Sequence, residues 1–129
     1  MKTFSAFSII LLAFGLHSIA NACNGPMKCA IKTVNGHYLT AVGGGGRTTD
    51  VIHTDTTKAR SWEIFTLIDT CSGDSIIDYA IQTKTGNYLT AVSGGGRTTD
   101  VIHSDATQIQ AWEKFKFMSL SGGKYAITY

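Results

Sequence analysis

The sequence predicts an all-β fold, on three observations. Residues 38–55, YLTAVGGGGRTTDVIHTD, return 50 residues later at 88–105 as YLTAVSGGGRTTDVIHSD, with only Gly43/Ser93 and Thr54/Ser104 exchanged. Thr, Val, Ile and Tyr recur through both copies, and these side chains favour strands. Glycine is frequent, with 14 residues against a single proline, as short strands joined by turns require. A long fixed period means one structural unit built more than once. Over residues 30–68 against 80–118 the match is 24 of 39 positions.

The first 22 residues read differently. Lys2 precedes an apolar run over residues 4–16, and Ala20-Asn21-Ala22 fits a small-x-small cleavage site. This is the pattern of a secretory signal peptide. The run is shorter than the ~20 apolar residues of a membrane-spanning helix, so removal is expected and no span in the mature chain. Residues 23–129 then form one small exported domain outside the cell. Without Lys2, 10 basic side chains face 9 acidic ones. No basic stripe is present, which removes the electrostatic case for nucleic acid.

Each repeat divides into four strands. In the first copy these are residues 29–34, 37–42, 50–54 and 62–68. Asn35-Gly36 closes the first hairpin, because this dipeptide tolerates positive φ. Residues 43–49 are a glycine-rich loop. Asp55 opens the next turn by accepting backbone N–H groups ahead of it.

Comparing the copies assigns the faces. Strands alternate sides with period two. Ile64 and Thr66 become Lys114 and Lys116, while Phe65 and Leu67 become Phe115 and Phe117. The lysines require water, so Phe65 and Leu67 face the core. By the same logic Cys29, Ile31 and Thr33 point inward, as do Tyr79, Ile81 and Thr83.

Three cysteines follow the leader: Cys23, Cys29 and Cys71. An exported chain can form disulfides, and an odd count leaves one thiol over. Cys29 occupies the core position of Tyr79 and is expected to be a buried free thiol. Cys23 and Cys71 flank the strands and are the expected disulfide, ahead of Cys29–Cys71. No Cys-x-x-Cys spacing indicates zinc or redox chemistry.

Asn35-Gly36-x-Tyr38-Leu39-Thr40-Ala41, the glycine run at 43–46 and Trp62-Glu63-Ile64-Phe65 together resemble the fascin-like (actin-crosslinking-like) β-trefoil domains. Gly86-Asn87-Tyr88-Leu89-Thr90-Ala91, glycines 94–96 and Trp112-Glu113-Lys114-Phe115 repeat the pattern. The resemblance covers most of the chain after the leader. It implies a β-trefoil, with repeat one at 29–68, repeat two at 79–118 and the start of a third at 125–129. Tyr125-Ala126-Ile127 matches Tyr79-Ala80-Ile81, and only the first strand of that third copy is present. The incomplete third implies an open barrel wall with unpaired edges. Either a longer protein continues it, or another copy covers it by self-association. Ricin-type lectin trefoils carry Gln-x-Trp near this place, and neither repeat has it.

Candidate ligand-binding residues are Arg47, Thr49, Asp50 and His53, with Arg97, Thr99, Asp100 and His103 in the second copy. Arg and Asp give directional hydrogen bonds, Thr hydroxyls add more, and glycines let a ligand approach the backbone. The competing reading is a loop whose glycines serve geometry and whose Asp and Thr cap turns. His53 and Asp55, two apart on a strand, could share a face for acid–base work. No nucleophile motif accompanies them, two ligands are too few for a metal, and the glycine run lacks the Gly-Lys-Ser/Thr ending of a phosphate loop. No catalysis, cofactor or metal is expected. The expected function is a secreted binding module for a glycan or cell-surface protein. Actin-filament binding, as the resemblance to fascin implies, and a trefoil-type protein inhibitor are the alternatives.

Overall fold

A computed structural model describes residues 3–11, 25–71 and 78–128 of the chain. The described residues form an all-β structure of ten antiparallel strands in one curled sheet. The strands are β1 (Thr3–Leu11), β2 (Met27–Thr33), β3 (Tyr38–Ala41), β4 (Ile52–Thr56), β5 (Ile64–Asp69), β6 (Asp78–Gln82), β7 (Tyr88–Ala91), β8 (Ile102–Ala106), β9 (Phe115–Ser119) and β10 (Lys124–Thr128). The rest of the described chain is loops, turns and single 3-10 turns.

The pairings run β1–β2, β2–β5, β5–β6, β6–β9, β9–β10 and β10–β1, which returns to its start. Two hairpins, β3–β4 and β7–β8, hang from β2 and β6. With residues 3–11 in place, the wall expected to be open between β10 and β2 is occupied. Its occupant is β1, which lies inside the stretch that the sequence assigns to the leader. The register sets Ile9 opposite Ile31 and Ala6 opposite Ala126. A leader pattern is read locally, whereas the need for a strand at this place comes from residues far along the chain.

The core follows the alternation. Phe65, Phe115, Ile31, Ile81 and Ile127 are fully buried, one set from each copy and the last from the third start. Each such side chain contributes roughly 1.5–3 kcal/mol on burial. Leu39 and Leu89 extend the core under the hairpins. Cys29 is the buried free thiol expected of it, and burial pushes its pKa up to about 12. Tyr79, at the same place in the second copy, packs edge-on against Phe117 with ring centroids 5.1 Å apart. Lys114 reaches water, but Lys116 is half-buried and bonds the buried Asp78 at 3.0 Å. The Cys23–Cys71 pairing falls on Cys23, outside the described residues. Cys71 is exposed, and its N–H donates to Asp69 Oδ1 at 2.9 Å.

The turns and strand ends of repeat one differ in detail from expectation. The first hairpin turns on Gly36 (φ 86°), with the Gly36 N–H donating to the Thr33 carbonyl; Asn35 does not take positive φ. The third strand begins at Ile52, two residues late, because Asp50 adopts φ 50° and no strand can start there. The fourth begins at Ile64, after a 3-10 turn over Ser61–Glu63. Glu63 closes that turn by accepting the Arg60 N–H at 2.9 Å. The turn after β4 is held by Thr56, whose Oγ1 accepts the Lys58 N–H; Asp55 lies within the strand itself.

Candidate functional site

The two glycine-rich loops share one backbone. After β3, residues 43–46 all take positive φ, from 68° to 114°. A side chain in this region costs roughly 1–2 kcal/mol, which explains the glycine run. Ser93 replaces Gly43 at φ 59°, a single position where a small polar residue bears that cost.

Past the glycines the chain reaches Asp50 and Asp100, at φ 50° and 51°. Asp is one of the few residue types enriched in this conformation. The turn brings residues three before and three after onto one carboxylate. Arg47 Nη2 lies 3.7 Å from Asp50 Oδ2, and His53 Nε2 lies 2.6 Å from Asp50 Oδ1. Arg47 Nε donates to the Thr49 carbonyl at 3.1 Å. The second copy repeats the cluster, with Arg97–Asp100 at 3.7 Å, His103–Asp100 at 2.7 Å and Arg97 Nε on the Thr99 carbonyl at 3.3 Å. The His53 hydrogen bond holds the Asp50 carboxyl below its usual range, against an opposing loss of hydration and with help from the charges of His53 and Arg47. His53 therefore partners Asp50, not Asp55, and the strand-borne acid–base pair does not form.

The aspartates of both clusters border one cleft of about 600 Å³ between the hairpins. Leu39, Val51 and Ile52 line it from the first copy, and Leu89, Val101 and Ile102 from the second. Thr48, Thr49, Asp50 and Asp100 complete its walls. Of the eight predicted residues, Thr49, Asp50 and Asp100 thus line this cleft. Arg47, His53, Arg97 and His103 act on it through the carboxylates they hold, and Thr99 contributes its carbonyl to the second cluster. The aliphatic walls and Thr48 were missed from sequence. Their signal was the repetition of Leu39, Val51 and Ile52 as Leu89, Val101 and Ile102, which reads equally well as core.

Neither protein-family models nor curated proteins match this chain. Among the described residues no group of three or more His, Cys, Asp and Glu side chains is placed to hold a metal ion, and no helix is long and apolar enough to cross a membrane.

Proposed function

We propose that this chain is a secreted, non-catalytic β-trefoil module of fascin-like type that binds carbohydrate, free or on a cell surface. The observation that carries the binding reading is the cleft between the hairpins. The partly exposed Ile52, Val101 and Ile102, over a buried floor of Leu39, Leu89 and Val51, suit the C–H face of a sugar ring, and the Asp and Thr oxygens beside them suit its hydroxyls. Each aspartate is fixed by an arginine and a histidine before any ligand arrives. Such preorganisation lowers the ordering cost of binding. The trefoil reading is supported by the pairings β2–β5, β5–β6, β6–β9 and β9–β10 with hairpins on β2 and β6, all of which lie outside the leader. The Cys23–Cys71 disulfide belongs to the same proposal of export.

A glycan array probed with the exported protein tests the ligand class. Retained spots that vanish in an Asp50→Asn/Asp100→Asn double variant are the expected result. Spots unchanged by that variant overturn the cleft. Co-sedimentation with actin filaments, with no glycan retained, overturns the carbohydrate reading altogether.

A further inference from the structure

A second concavity, away from the cleft, separates the two repeats chemically. It lies in the turn that follows β4, has a volume of about 700 Å³, and includes Asp55, Lys58, Arg60, Ser61, Trp62 and Glu63 in its walls. Its backbone is held at both ends. The Lys58 N–H donates to Thr56 Oγ1 at 3.2 Å, and the Arg60 N–H donates to Glu63 Oε1 at 2.9 Å. Glu63 is buried, so its carboxylate is turned to the backbone. Trp62 is 47% exposed. The edge of its indole packs over the glycine loop, with Cδ1 and Nε1 each 3.4 Å from where a Gly44 side chain would begin. The ring is thus fixed in place while half of it remains open to solvent.

The second copy keeps one end of this frame, while Ala106 stands where Thr56 holds the other. The Gln110 N–H donates to Glu113 Oε1 at 2.9 Å, and Trp112 packs over Gly94 at the same distances. Lys58 and Arg60, however, are replaced by Gln108 and Gln110. The acids Asp55 and Glu63 have their counterparts in Asp105 and Glu113. The concavity of repeat one therefore carries two more positive charges than the matching residues of repeat two. Both cations are exposed, and among the described residues neither forms an ion pair.

We infer that the Asp55–Glu63 concavity is a second binding site, for an acidic sugar residue such as a uronate, with Trp62 as the platform for the ring and Lys58 and Arg60 as the counter-charges. A fixed, half-exposed indole offers a flat apolar surface with a polar N–H. A guanidinium and an ammonium beside it supply charge-assisted hydrogen bonds to a carboxylate or sulfate. The inference takes only the ligand class from the carbohydrate reading of the cleft; its residues are separate from the cleft's.

The chain holds two tryptophans, so each can be observed alone. Trp112→Phe leaves Trp62 as the sole indole, and Trp62→Phe leaves Trp112. Both are titrated with oligogalacturonate and with a neutral oligosaccharide of equal length. The expected result is a saturable change in Trp62 emission with the acidic ligand only, weakened by salt. Trp112 emission should stay constant. Lys58→Gln/Arg60→Gln, which copies the second repeat and leaves the indole in place, should weaken the acidic ligand at least tenfold. An equal response from Trp112, an unchanged affinity in the glutamine variant, or no response of Trp62 to the acidic ligand each overturns the inference. None of these outcomes judges the cleft, which the aspartate double variant tests by itself.

Discussion

The same heptapeptide, Gly-Gly-Gly-Arg-Thr-Thr-Asp, stands in two surroundings. In repeat one it is seated against repeat two. The Gly46 N–H donates to the Ser104 carbonyl at 2.6 Å, the Ser104 N–H donates to the Arg47 carbonyl at 2.9 Å, and the Arg47 N–H donates to Ser104 Oγ at 3.1 Å. The Thr85 N–H reaches the Gly44 carbonyl at 3.0 Å. Gly44 and Gly45 are buried there. In repeat two the equivalent Gly94 is exposed and Gly95 half-buried. On the receiving side, Ser104 is fully buried while its counterpart Thr54 is exposed. Local sequence sets the loop conformation in both copies, since the φ values agree within about 15°. Whether that loop is a joint or a free surface is decided by the neighbour it meets.

The sharpest way to break this comparison is at the glycines. A side chain at Gly45 meets the Thr83 and Thr85 hydroxyls and is also forced to φ 114°. Gly45→Ala should destabilise by about 2–4 kcal/mol, the sum of backbone strain and overpacking. Gly96→Ala, at φ 83° with open space where its side chain would begin, should carry mainly the backbone cost of about 1–2 kcal/mol. Urea unfolding of the two variants gives the difference directly. Equal midpoints would mean that the loop of repeat one is not a joint.

The receiving side should respond next. Ser104→Ala leaves the Arg47 N–H without its hydroxyl acceptor, at a cost of about 1–3 kcal/mol. Thr54→Ala, on an exposed residue, should fall within about 0.5 kcal/mol. A double variant of Ser104 and Gly45 would sharpen the result, because residues in one network are non-additive.

The smallest effect concerns the core position that differs between copies. Cys29 has its folded pKa raised from 9.0 to about 12. The sign follows from linkage: the contribution is fully present below the unfolded value of 9.0 and is lost as pH rises through the folded value. At pH 10 the loss should be about 1 kcal/mol, seen as a lower melting temperature than at pH 8. Cys29→Val should remove that part of the pH dependence. A thiol reagent at pH 8 should label Cys29 only after unfolding.

Much of the fold was legible because the chain carries its own comparison. Lysines replacing Ile64 and Thr66 marked the outer face of the fourth strand, and the buried Phe65 and Phe115 follow from that. The hairpin at Gly36 and the strand alternation at Cys29 and Ile31 were legible from local chemistry. The late start of β4 was not, because positive φ at Asp50 is a property of the folded loop. The position of Trp62 was hidden for a related reason: a Trp-Glu-x-Phe run reads as strand, and only the Glu63 bond to the Arg60 N–H turns it into a 3-10 turn. Of the site, the repeated Arg, Asp and His were visible as a set. Their exact partners were not, since a carboxylate three residues away outcompetes one two residues away only once the turn exists. The joining of both copies into one cleft depends on the packing of two hairpins and has no local signal.

The pairing of β1 with β10 places Thr3 opposite Thr128, and this sets an order of events during synthesis. Thr3–Leu11 leaves the ribosome long before β10 exists, and closing so long a loop is slow relative to local contacts. For that interval the apolar segment has one of its two edges without a partner. Export machinery reads apolar N-terminal segments of this kind during the same interval. On the proposed export, recognition of Thr3–Leu11 as an address competes with its capture as a strand, and slower translation of the second repeat favours the address.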